Sequence, residues 1–441
     1  MERNDLIEAV GFVGEDLVAE AKKPKRKMKK NIVKAVAGLV AASVAVSFFW
    51  GGNTTINANY SSKYNKVFGQ FTAKSTVELL ADKKENTCYS PVSLFAAMSL
   101  TAEATNGDTR QEILDAFGVD SLEELEEMYR QMAVDLDVDY NPKPVDNGHM
   151  MMTPLKTPAK ITLCNSLWIS ASLLGDNSEE VIKRCMKNMK CEIFADGPVD
   201  PVKVNEWVSE NTNGRIDNVM DEDYIPAIAL VNTLYYKASW TESYGHKDDK
   251  FYPEKGDEVT TKFICSTEES LRYKECGEFT VLEVPLQEGS MLLVLPSKGK
   301  KLQKIMREDV INAVISMSTN DEMDRGYVNW WLPEYEIEDE YSEKIISSLN
   351  NMGIETLFGN NTWEISSGLD NSFVDICQRT YINVNKKGVE AAAATAVSAV
   401  YIGIEDEKKI ALEIKFDRPF MYVLIKNGVP MFIGTVYNPV E

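Results

Sequence analysis

Residues 388–403 read GVEAAAATAVSAVYIG, and the fold turns on whether this stretch is a helix or a strand. Ala391, Ala392, Ala393 and Ala394 are strong helix formers, so a short surface helix satisfies local propensity. Yet the stretch lies between a strand-like segment at 380–384 and a strongly β-forming one at 410–425. Read with period two, Val389, Ala391, Ala393, Thr395, Val397 and Ala399 share one face, nearly all small and apolar. Glu390, Ala392, Ala394, Ala396 and Ser398 share the other, with the charge outward. Small inward side chains are what a strand needs if it slides between two strands of a packed sheet. A large residue there would overpack the core at a cost of about 1–3 kcal/mol each.

The rest of the chain narrows the chemistry. Its 441 residues carry 68 acidic and 47 basic side chains, a net charge of −21, which repels the phosphates of nucleic acid. His149 and His246 are its two histidines, too few and too far apart for a multi-histidine metal site. No GxSxG elbow and no phosphate-cradling glycine loop occurs. Cys88, Cys164, Cys185, Cys191, Cys265, Cys276 and Cys377 show no CxxC pair and read as free thiols. No cofactor is expected. The 334–341 stretch, EYEIEDEY, reads as a half-exposed strand and not as a catalytic carboxylate pair.

The N-terminal part differs from the rest. Residues 1–31 form an acidic then basic leader ending in the lysine-rich run 22–30. Residues 32–50 follow as an apolar span, uncharged from 35 onward, and read as a membrane anchor or a signal segment. A polar linker, 51–61, leads into one domain at 62–441. Either fate of the span, retained or cleaved, puts that domain outside the cytoplasm. Helices are expected at 61–80, 92–105 and from Thr109, where Glu112 sits in capping-box position. Another is expected at 202–220, running into a Thr-Asn-Gly turn. Strands are expected at 161–170, 228–240, 279–286 and 290–295. Helices and strands come in runs without regular alternation, which predicts an α+β fold.

Several short motifs stand in order around the alanine stretch. They are Tyr89-Ser90-Pro91-Val92-Ser93, Asn165, Val231-Asn232-Thr233 leading to Trp240, Leu332-Pro333, and Met352-Gly353-Ile354. After it come Phe416-Asp417-Arg418-Pro419-Phe420, Phe432-Ile433-Gly434-Thr435-Val436 and Asn438-Pro439. Together with the alanine hinge they resemble the serpins, from near Ser61 to the C-terminus. The resemblance implies an α+β domain of three β-sheets and eight or nine helices with an exposed reactive-centre loop. It also implies an inhibitor, not an enzyme: a target serine protease cleaves the loop, an acyl-enzyme forms, and the loop inserts into the central sheet. The partner would be that protease, held covalently by a monomeric inhibitor, with membrane contact only through the N-terminal segment.

Carried over residue by residue, the resemblance makes Gly388, Val389, Glu390, Ala391, Ala392, Ala393, Ala394 and Thr395 the hinge. Inhibitory serpins usually have threonine or serine after the glycine; Val389 is nearly isosteric but lacks the hydroxyl. The breach would hold Trp240 and a charge pair, Glu334 with Lys386, exchanged in sign relative to the family. The shutter would hold Ser90, Ser93, Asn232 and Gln378, the last where the family usually has histidine. Family spacing puts the reactive bond between Ile402 and Gly403. The following stretch is longer than usual, so cleavage after Tyr401 or Lys408 stays open. An approach through Val400 and Tyr401 suits elastase-, chymotrypsin- or subtilisin-like proteases. The leader and the unpatterned cysteines suit a bacterial exported protein. The alternative is a non-inhibitory member acting as a cell-surface binding module.

Overall fold

The computed structural model describes residue 58 and residues 62–136, 138–140, 159–223, 225–358, 363–365, 374–389 and 410–440. The expectations for residues 1–50, for the linker apart from residue 58, and for the loop from Glu390 to Lys409 lie outside these residues. Among the described residues no helix is long and apolar enough to cross a membrane.

Eight α-helices are described: α1 (Lys63–Leu80), α2 (Pro91–Ala104), α3 (Gly107–Phe117), α4 (Leu122–Leu136), α5 (Ser178–Met189), α6 (Pro201–Asn211), α7 (Glu308–Met317) and α8 (Ser342–Asn351). Helix α1 opens on Ser62, whose hydroxyl accepts the Asn65 amide at 3.1 Å. Helix α2 opens on Ser90 with proline in its first turn, and every one of its residues is buried. That is why its sequence shows no polar face: it is wrapped on all sides. Helix α3 begins at Gly107, and its N-cap Asn106 makes no side-chain bond. Glu112, expected to close a capping box on this helix, instead accepts the amides of Glu355 and Thr356 at 2.9 Å. Helix α6 ends at Asn211, well short of residue 220, where the Thr-Asn-Gly turn intervenes.

The strands, in chain order, begin with β1 (Thr87–Tyr89), β2 (Val138–Tyr140), β3 (Ala159–Ile169), β4 (Glu192–Phe194), β5 (Ile228–Ser239) and β6 (Gly245–Phe251). Then come β7 (Val259–Glu275), β8 (Phe279–Pro285), β9 (Ser290–Pro296), β10 (Asp324–Pro333), β11 (Tyr335–Glu340) and β12 (Val374–Cys377). The last are β13 (Arg379–Asn385), β14 (Gly388–Val389), β15 (Leu412–Lys415), β16 (Phe420–Lys426) and β17 (Val429–Val436). One hydrogen-bonded network runs β1-β17-β16-β9-β8-β7-β10-β15, with β6 beside β7. The other runs β11-β13-β14-β5-β3-β2, with β12 also on β5 and β4 on β3. The layers expected as separate sheets share strand β7. Its residues 259–265 pair with β6, 263–273 with β10 and 272–275 with β8. A register shift at Gly326/Val328, near Ser270 with φ 63°, bends the strand between its two roles.

The main core lies between the sheets and the helices α1, α2 and α3, where the Phe68, Phe95 and Phe117 rings pack at a tilt with centroids 4.4 and 4.5 Å apart. A smaller core of Trp168, Val204, Trp207 and Val208 packs α6 against the outer face of the second sheet. Strand β5 therefore feeds two cores: Leu230, Leu234, Tyr236 and Ala238 point into the main one, Ala229 and Val231 toward α6. Strand β11 has the half-exposed pattern its sequence predicts, with Tyr335 and Ile337 buried and Glu336 and Glu338 exposed.

Candidate functional site

The second sheet is closed at one end and parted at the other. At the closed end β12 pairs directly with β5 in parallel, Val374 opposite Ile228 through Cys377 opposite Val231. At the parted end the two residues of β14 lie between β5 and β13, antiparallel to both. Gly388 faces Ser239 and Asn385, and Val389 faces Ala238 and Val384. Between these ends, residues 232–237 of β5 and 379–383 of β13 have no ladder partner on their facing edges among the described residues. The result is a slot, lined on its core face by Tyr236, Leu234 and Ile382.

Gly388 permits this entry. Its φ is +148°, and a Cβ there would lie 2.2 Å from the Ala238 carbonyl oxygen and 2.7 Å from the Ser239 Cα. Val389 is 2 % exposed and packs into the main core, so its missing hydroxyl leaves no polar group to satisfy. Glu390, Ala391, Ala392, Ala393, Ala394 and Thr395, and the residues around the reactive bond, lie outside the described residues.

At the mouth of the slot Trp240 is buried, and its indole N–H donates to the Asn385 carbonyl at 2.8 Å. Its ring neighbours Tyr244, which meets Trp330 edge-on at 4.9 Å. The Trp330 indole donates to Glu268 at 3.0 Å, and burial pushes that carboxyl above its ordinary range. Glu334 and Lys386 meet through the backbone: the Lys386 amide donates to the Glu334 carboxylate at 2.9 Å. The Lys386 ammonium lies 3.4 Å from His246 Nδ1, a neighbour that strand pairing alone supplies.

At the floor of the slot the Ser90 hydroxyl donates to the Met431 carbonyl at 2.9 Å and accepts the Ser93 amide at 3.2 Å. The Ser90 carbonyl accepts Gln378 Nε2 at 3.0 Å. Asn232 donates to the Cys164 carbonyl at 3.2 Å and to Asn165 Oδ1. Asn165 in turn donates to the Tyr129 hydroxyl, which donates to the Met189 carbonyl at 2.8 Å. The parallel pairing of Cys377 with Val231 makes Asn232 and Gln378 the next residues in register. Asn232 Oδ1 and Gln378 Oε1 are buried acceptors without a protein donor. Tyr129 escaped the sequence reading because its role is set by helix packing and leaves no local pattern.

No group of three or more His, Cys, Asp or Glu side chains that could hold a metal ion occurs among the described residues. The six cysteines whose side chains are described are free thiols. Burial pushes the Cys88 thiol up to about 12, which makes it a core residue and not a nucleophile.

This geometry defines a class: a protein whose second sheet holds the first residues of an additional strand in a slot between β5 and β13. A family description, serpin (serine protease inhibitor), matches residues 66–439. Human antithrombin-III is 27 % identical over 408 residues, covering 86 % of this chain and 82 % of that protein. The leukocyte elastase inhibitor of Xenopus laevis is 26 % identical over 381 residues, covering 80 % and 93 %. Among solved structures, the thermophilic serpin tengpin in its native state superposes with a TM-score of 0.70 at 21 % identity, covering 88 % of this chain and 97 % of that one. The chain belongs to the serpin family, a family of protease inhibitors and not of enzymes.

Proposed function

We propose that the protein is a suicide-substrate inhibitor of serine proteases of the elastase, chymotrypsin or subtilisin type, trapping them by inserting its own cleaved loop. The observation that carries this reading is the slot between β5 and β13, entered by Gly388 and Val389. Continuing that register carries Ala391 opposite Tyr236 and Ile382, Ala393 opposite Leu234 and Thr380, and Thr395 opposite Asn232 and Gln378. Those inward positions are the small face read from the sequence. The alignment also brings the Thr395 hydroxyl, a donor, to the two unpartnered acceptors at the floor.

The chemistry belongs to the protease. Its serine hydroxyl attacks the Ile402 carbonyl carbon, the bond to the Gly403 nitrogen breaks, and Ile402 stays esterified to the enzyme. Insertion of residues 390–399 then completes the sheet and carries the acyl-enzyme away before water can release it. Tyr401 and Lys408 are the alternative residues before the bond. The basic run at 22–30 followed by the uncharged 35–50 span supports display outside the cytoplasm.

The sheet should gain stability when the loop is cut. A non-target protease that nicks residues 396–409 is expected to raise the thermal unfolding midpoint by tens of degrees, as read by circular dichroism. A nicked protein that melts at the temperature of the intact one would support the alternative, a non-inhibitory member serving as a surface binding module.

A further inference from the structure

Away from the slot, helices α2, α3, α4 and α5 converge on a cluster of charges. Glu103, at the end of α2, is completely buried. Its carboxylate accepts Arg184 Nε at 2.8 Å and Asn188 Nδ2 at 3.0 Å, both from α5. The same Asn188 nitrogen donates to Glu126 of α4 at 2.9 Å, so one amide group holds two carboxyls from different helices. Arg184 also binds Glu364 at 2.8 Å, and Arg110 of α3 binds the same Glu364 oxygen at 3.1 Å. Arg110 and Arg184 additionally donate to the Ala102 and Glu103 carbonyls that end α2.

The charges do not balance. Glu103, Glu126 and Glu364 face Arg110 and Arg184, which leaves one negative charge in excess if every carboxyl is ionised. Glu123 on α4 adds further repulsion, and Arg130 on the same helix opposes it. Cys185, beside Glu103, contributes no charge because burial pushes its thiol up to about 12. Two carboxyls sharing one donor are best satisfied when one of them keeps its proton.

We propose that this cluster carries one proton in mildly acidic solution, on Glu126 where Asn188 holds it beside Glu103, and that its loss near neutrality loosens α4 from α2 and α5. Burial and the Glu103 carboxylate push the Glu126 carboxyl up from its ordinary 4.5 to about 7. The sign follows from a folded state that binds the proton more tightly than the unfolded one. The stabilisation is fully present below about pH 4.5 and is lost as the pH rises through about 7. Asn188 precedes Met189, whose carbonyl anchors Tyr129 behind Asn165, so the helices that respond are those bonded to β3, the strand paired with the slot strand β5. The inference stands on the cluster alone and does not depend on protease inhibition.

The test compares the whole chain with its Glu126→Gln variant in urea unfolding from pH 5 to pH 8. Glutamine keeps the size and lacks the titration. The wild-type protein should lose stability relative to the variant by about tenfold in the unfolding equilibrium constant across that range, because solvent screens the half-exposed group. Profiles that stay parallel would overturn the proposal. Carbon-13 carboxyl titration of the wild-type protein, with the Glu126 signal assigned by difference, gives a second reading. A midpoint near 7 supports the proton held on Glu126, whereas one in the ordinary range of about 4.3 refutes it.

Discussion

Replacing Ala393 with glutamate is expected to turn the protein from an inhibitor into a substrate. On insertion, the register continued from Gly388 and Val389 would set residue 393 opposite Leu234 on one side and Thr380 on the other, on the core face of the sheet. Insertion would then bury a carboxylate against Leu234 and Tyr236, on the core face of the slot, where the described residues Tyr236, Leu234 and Ile382 offer no cation. Burying an unpaired charge costs at least several kcal/mol, so insertion slows while hydrolysis of the acyl-enzyme does not. The partition between trapped and released protease should fall at least about tenfold for each 1.4 kcal/mol added to the insertion barrier. The measurement is the fraction of protease recovered in covalent complex against the fraction of inhibitor merely cleaved. Ala392→Glu, one position away and on the opposite face, should be milder. Equal losses from both would mean that the inward face is misassigned.

Gly388→Val should produce the second large effect, and it acts on residues whose positions are described. Its Cβ would meet backbone atoms of Ala238 and Ser239, which cannot rotate away, and its φ would be strained besides. The strain alone costs about 1–3 kcal/mol. The hinge should leave the slot, Val389 should become exposed, and the upper edges of β5 and β13 should lose their bridge. A lowered urea midpoint and faster amide hydrogen exchange at Ala238 and Asn385 are the expected readings. A midpoint unchanged from the wild type would show that β14 adds nothing to the sheet.

The sequence made the hinge face visible because period two is a local property and survives without any knowledge of neighbours. Val389 takes the inward face that this period assigns it, and Tyr335 and Ile337 of β11 do the same. The order of short motifs carried the architecture, and at least one of them marks a place where two backbones approach closely. Gly434 is one: a Cβ there would sit 1.9 Å from the Thr87 carbonyl oxygen. What stayed hidden depends on partners remote in sequence. Glu112 reads as a cap for its own helix, yet it binds amides more than two hundred residues away. Lys386 and Glu334 read as a side-chain pair, whereas the contact formed is between the Lys386 amide and the Glu334 carboxylate. Nothing local in VSLFAAMSLTAEAT marks Glu103 as buried, and only the packing of α2 on all sides shows it. The sharing of β7 between layers was equally illegible, because strand length does not state how many sheets a strand will serve.

The most direct test of the inhibitory mechanism is to mix the full chain with pancreatic elastase or subtilisin and analyse the products by denaturing electrophoresis and mass spectrometry. A covalent complex that survives SDS, together with a released C-terminal fragment beginning at Gly403, is the predicted result. Complete cleavage of the loop with fully active protease and no complex would contradict it.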